Sequence, residues 1–134
     1  MKILIICSKV FYDKIPPIAE KLQNDGHTVV MPNCFDCPNT EASLRGTDKH
    51  SAFKAAMFRK SEETISNVDA VLVLNFDKNG ENNYIGGATF LEMYDAFRFG
   101  KKIFLYNGLP NGMLRDEIIG FSPIMIDGDL NLVK

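Results

Sequence analysis

Two stretches of the chain, Ile3-Leu4-Ile5-Ile6 and Ala70-Val71-Leu72-Val73-Leu74, are apolar at every position. A strand with one face in water alternates apolar and polar residues. An uninterrupted apolar run has to be covered on both faces, which is the situation of parallel strands whose crossover helices pack on either side. Helix signals separate the strand signals from end to end. Lys2 to Cys7 reads as a strand, and Pro16 to Asp25 as a helix with proline near its start and Gly26 at its C-cap. His27 to Pro32 is a second strand, and Asp69 to Phe76 a central one. Between them, Ser51 to Ser66 places Phe53, Ala56, Met57 and Ile65 at helical spacing. Thr89 to Phe99 is a helix in which Phe90, Met93, Tyr94 and Phe97 form the expected buried stripe. Lys102 to Tyr106, Met113 to Ile119 and Pro123 to Ile126 complete the pattern as strand, helix and strand.

Strands and helices that alternate in this way, joined by right-handed crossovers, predict an α/β protein. The expected architecture is a flavodoxin-like three-layer sandwich: a five-stranded parallel sheet of order 2-1-3-4-5, with residues 1–134 forming one unit. The ligand cleft of such a sheet lies at the C-terminal ends of its strands. Here those ends belong to strands one, three and four, so the loops Cys7 to Asp13, Phe76 to Ala88 and Asn107 to Gly112 should line it. The polar segment Asn33 to Lys49 is long enough to suspect a function, such as a lid.

Charge excludes several partners. Lys and Arg number 15 against 17 Asp and Glu, and no block of one sign stands out. That argues against a nucleic-acid polymer or an anionic membrane. With 134 residues the chain can bury about 65–70% of the surface it would expose unfolded, enough for a full core. The first apolar run is too short for a signal segment or a membrane span, and three cysteines are an odd number. Together these features lead us to expect a cytoplasmic protein.

The residues that bear chemistry cluster after the central strand, in Tyr84-Ile85-Gly86-Gly87-Ala88-Thr89-Phe90-Leu91-Glu92. A loop hinged on glycine that enters a helix puts Glu92 where parallel α/β proteins bind ligands. Thr89-x-x-Glu92 also fits a capping box, in which the glutamate would reach back to the helix start. Asp77, just past the strand, lies near Glu92 in this fold, and two carboxylates across a small cleft can divide nucleophile and acid–base roles. It also belongs to Asp-Lys-Asn-Gly, an ordinary turn sequence. Cys34-Phe35-Asp36-Cys37 is a lone CxxC, short of the ligands a structural zinc needs and not placed as in thioredoxins. Cys7 ends the first strand, but no arginine follows to make a phosphatase loop. That loop lacks the small polar residues of a flavin phosphate cradle, although Ser8 and Lys9 can contact a ligand. His50 and Lys54 read as solvated. With no GxxxxGK[ST] or GxGxxG, no cofactor is expected.

From about Asp69 onward the chain resembles the nucleoside 2-deoxyribosyltransferase-like family. Asp69-Ala70-Val71-Leu72-Val73-Leu74-Asn75-Phe76-Asp77 matches its hydrophobic strand and aspartate, Thr89-Phe90-Leu91-Glu92 its T-x-x-E, Ala96 its later alanine, and Gly100-Lys101 its closing G-K. Gly86 stands where the family has a second acid, and Ala88 where it has the glycine before the threonine. The resemblance implies an N-glycosidase or 2-deoxyribosyltransferase acting on a nucleoside, nucleotide or related N-glycoside. Glu92 would be the nucleophile and Asp77 the proton donor. Ser8, Lys9, Phe11, Asn83, Tyr84, Gly86, Gly87, Ala88, Thr89 and Asn107 would surround the substrate. It also implies a homodimer or larger homo-oligomer. The alternative is a domain of the same fold that binds such a ligand without turning it over.

Overall fold

The structure, a computed structural model, describes residues 1–134. Its centre is a five-stranded, all-parallel sheet in the order β2-β1-β3-β4-β5. The strands are β1 (Lys2–Ile6), β2 (Thr28–Val30), β3 (Ala70–Val73), β4 (Lys102–Leu105) and β5 (Ile124–Met125). The helices are α1 (Ile15–Asn24), α2 (Thr40–Leu44), α3 (His50–Ser66), α4 (Gly87–Arg98) and α5 (Arg115–Gly120). Short 3-10 segments follow β1 at Lys9–Lys14 and close the chain at Leu130–Leu132. This is the flavodoxin-like α/β arrangement, and no helix is long and apolar enough to cross a membrane.

The unbroken apolar runs have the cause inferred above. Successive side chains of a strand point to opposite faces. Ile3 and Ile5 pack with Ile15, Ile18 and Leu22 of α1, while Leu4 and Ile6 pack with Ile65 of α3 and Met93 of α4. β3 divides the same way, Leu72 to the α1 side and Val71 and Val73 to the other. Every residue of β3 is buried, so a polar substitution on either face would lose its water. Pro16 and Pro17 sit in the first turn of α1, where the missing N–H has no intrahelical partner to lose, and Gly26 takes φ +94° just past its end.

Several expectations need correction. The loop after β1 is not irregular but wound into a 3-10 turn. The Asn33 to Lys49 segment contains α2 and is not a free lid. It is fastened to α3 by Asn33 Nδ2, which donates to the Met57 carbonyl at 3.1 Å and to Ser61 Oγ at 2.8 Å. β3 stops at Val73, and α4 starts at Gly87 instead of Thr89. The buried stripe also differs from the expected one. Thr89, Met93 and Ala96 face the core, whereas Tyr94 and Phe97 are 47% and 49% exposed, clustered with Phe121.

Past β3 the chain holds its direction through one buried amide. Asn75 is fully buried; its Oδ1 accepts from the Asn107 N–H at 2.8 Å and its Nδ2 donates to the Gly108 carbonyl at 2.8 Å. Asn107 returns the bond, its Nδ2 donating to the Asn75 carbonyl at 3.2 Å. The loops after β3 and β4 are thereby tied together. Asn75→Leu would leave two part-buried backbone groups without their partner, and a loss of about 1–3 kcal/mol in urea unfolding is expected. A loss under about 0.5 kcal/mol would show that the amide bridge is not holding the loops.

Candidate active site

A cavity of about 550 Å³ opens at the C-terminal edge of the sheet. It lies where the strand order reverses between β1 and β3, the place at which open parallel sheets bind ligands. Four segments form it. Cys7, Ser8, Lys9, Val10 and Tyr12 come from the end of β1 and its 3-10 turn. Asn33, Cys34, Glu41 and Arg45 come from the segment after β2, and Lys54, Met57 and Ser61 from α3. Lys78, Tyr84 and the entry to α4, Gly86 to Thr89 with Glu92, close it.

Glu92 lies one turn beyond the start of α4, and its carboxyl reaches solvent only in part. The expected capping box is absent. Gly86 is the N-cap, no side chain caps the helix, and Thr89 is buried inside it. Glu92 is held across helices instead: Ser61 Oγ donates to its Oε2 at 3.1 Å, while Asn33 Nδ2 donates to that same Oγ. Because Asn33 fills the acceptor side of the serine, the hydroxyl proton is committed to the carboxylate. Oε1 has no protein partner. Burial pushes the Glu92 acid up to about 7; the charge of Asp95 adds to this, and the Ser61 hydrogen bond and Lys54 oppose it. The other acidic hydrogens nearby stay on. Burial, with Glu92 close by, pushes the Cys7 thiol up to about 12, so it is no nucleophile. Burial also raises the Tyr12 phenol, which donates to the Asn33 carbonyl at 2.9 Å.

The second carboxylate of the cavity, Glu41, has the opposite environment. It is 5% exposed and has three cations close by, Lys54 at 3.0 Å, Lys9 at 3.6 Å and Arg45 at 3.9 Å, with the His50 ring nitrogen Nε2 also 3.6 Å away. Burial alone would raise its pKa, but the Lys54 hydrogen bonds and charge, with Lys9, outweigh it and hold the acid down to about 2.

The cavity gathers most of the residues proposed from sequence and omits others. Ser8, Lys9, Tyr84, Gly86, Gly87, Ala88, Thr89 and Glu92 line it. Phe11 lies beneath, its ring edge-on to Phe76 and Tyr84. Asp77, Asn83 and Asn107 are outside. Exposed Asp77 accepts from the Asn83 N–H at 3.0 Å, the local turn bond its sequence context offered, and Asn83 Nδ2 donates to the Leu109 carbonyl. Asn107 serves the Asn75 bridge. The third wall is therefore the segment after β2 with α3, not the loop after β4. Lys54, read as solvated, is a cavity residue. Ser61 carried a readable signal: Met57, Ser61 and Ile65 fall on one helix face, and a serine in such a stripe wants a partner. Gly86 has a steric reason as well, since a Cβ there would meet the Tyr84 hydroxyl at 3.2 Å.

The fold and this cavity define a flavodoxin-like domain in which one carboxyl free of ion pairs, Glu92, lines a cleft that also holds several cations. No protein-family model matches the chain, and no curated protein sequence does.

Two outcomes test these electrostatics. In Ser61→Ala, the Glu92 side-chain carboxyl, followed by 13C NMR, should titrate higher than in the wild type, because the lost bond favoured the anion. An unchanged or lower midpoint would contradict it. Glu41 has a depressed acid, so its stability contribution is present above about pH 4.5 and lost as pH falls toward about 2. Glu41→Gln should therefore cost about 1–2 kcal/mol at neutral pH, discounted because its cations are part-exposed, and much less near pH 2. Equal costs at both pH values in thermal unfolding would rule this out.

Proposed function

We propose that this protein is an N-glycosidase or 2-deoxyribosyltransferase that acts on a nucleoside or nucleotide through Glu92. The observation that carries the reading is the state of that carboxyl. It is fixed through one oxygen by Ser61, without a protein partner at the other, and lines a cavity large enough for a small glycoside. A nucleophile has to be oriented but not neutralised by a cation, and Glu92 meets both conditions. Its resemblance to the nucleoside 2-deoxyribosyltransferase-like motif, Thr89-x-x-Glu92, points the same way.

In this mechanism Glu92 Oε1 attacks the anomeric carbon as the bond to the base nitrogen breaks, and the bonding pair leaves with the base. The product is a glycosyl ester of Glu92. A water then gives its proton to the base nitrogen and its oxygen to the sugar, which frees the carboxylate. In a transferase a second base takes the place of that water. Asp77, outside the cavity, has no part in these steps. Lys9, Arg45, Lys54 and Lys78 favour a substrate with an anionic substituent, and the uncapped N–H groups at Gly87 and Ala88 suit its oxygens.

Incubation with a panel of nucleosides and 5′-monophosphates, with free base followed by chromatography, tests the reading. Glu92→Gln should remove base release by about 10³-fold or more while the fold persists. Since only the anion attacks, kcat/KM for the wild type should rise with pH through about 7 and level above it. Binding of these ligands without any base release would favour the non-catalytic alternative. A Glu92→Gln variant with wild-type turnover would eliminate the nucleophile.

A further inference from the structure

The CxxC segment was left without a role by sequence, and the structure puts it in the cavity wall. Cys34 lines the cavity and Cys37, three residues on, is exposed, with both thiols free. The chain between them is a closed turn, the Cys37 N–H donating to the Cys34 carbonyl at 3.1 Å. A turn of this kind brings its end Cα atoms within about 7 Å, which overlaps the span of about 4.4–6.8 Å that a disulfide bridges. Cys34 is also held in the left-handed region, φ +57°, where few side chains rest. Its Sγ is directed at Met57 Sδ, 3.8 Å away, on the helix that carries Ser61. The residue before it, Asn33, is the one that fixes Ser61 against Glu92.

We propose that Cys34 and Cys37 form a reversible disulfide that reshapes the cavity wall at Met57 and Asn33, making the site sensitive to thiol redox state. The oxidant is a small disulfide such as oxidised glutathione. The exposed Cys37 thiolate attacks one of its sulfurs, forms a mixed disulfide and expels one glutathione thiolate. The Cys34 thiolate then attacks the Cys37 sulfur, closes the intramolecular bond and expels the second. Two electrons pass from the protein pair to the glutathione pair, and the two cysteine protons end on the two released glutathiones. Burial and the adjacent Cys37 thiol raise the Cys34 thiol, and Lys9 and Lys60 offset this only in part, so Cys34 is the resolving thiol and exposed Cys37 the attacking one. Once joined to Cys37, Cys34 Sγ gives up its contact with Met57 Sδ. Buried Cys7, whose thiol holds its proton, stays reduced.

The test uses the full chain equilibrated in glutathione redox buffers. Alkylation and mass spectrometry should show two of the three thiols lost together, the protein lighter by two hydrogens, with reversal by reduced glutathione. Cys37→Ser should abolish the bridge. On oxidation the Met57 methyl resonance should move, and the Glu92 carboxyl should titrate higher as Asn33 loosens its hold on Ser61. A stable mixed disulfide at Cys37 alone, or disulfides between chains, would overturn the proposal. So would a clean Cys34–Cys37 bridge that leaves the Met57 and Glu92 signals where they were. None of these readouts needs turnover, so they stand apart from the success or failure of the glycosidase reading.

Discussion

The parallel pairing of β1 with β3 is the constraint on which everything else here depends. Ile3 aligned with Ala70, and Ile6 with Val73, brings both strands to the same edge in step. The turn after β1 and the entry to α4 must then open toward each other. Both strands are buried on two faces, so a slip of one residue would carry each apolar side chain to the wrong core layer. The cavity is thus not an addition to the fold. It is the gap that remains where helices leave the sheet on opposite sides, α1 beneath and α3 and α4 above.

Much of this was legible in the chain because the signals were strong and local. The apolar runs at Ile3 and Ala70 called for a two-sided sheet, and their connections called for its order. Glu92 was legible from its place after a buried strand and a glycine loop. Asp77 misled for a physical reason: a carboxylate just past a strand can serve a cleft or its own turn, and in this chain the Asn83 N–H claims it. The start of α4 was misjudged because a threonine before an apolar run is the common cap. Gly86, which needs no side-chain bond to start the helix, took that position. The cavity wall from Asn33 to Arg45 was hidden for another reason. The hydrogen bonds from Asn33 to α3 join residues more than twenty positions apart, and no periodicity records them.

Glu41 and Glu92 show how one cavity can hold two carboxyls in opposite states. Both are shielded from water, which favours the neutral acid in each. Glu41 escapes because Lys54 and Lys9 surround it; Glu92 does not, because the nearest lysine is already engaged. Lys54 bonds both oxygens of Glu41 at 3.0 Å, and what it offers Glu92 is only its longer-range charge. A Lys54 free to swing toward Glu92 would depress that acid and cover its open oxygen. The cluster around Glu41, which resembles a structural ion-pair network, is therefore also what keeps Glu92 unpaired. Its net positive charge remains in the cavity lining, in a protein whose overall charge is −2. An anionic ligand in the cavity would therefore meet several cations on one wall and, on another, a single carboxyl oriented by Ser61 and free of any ion pair.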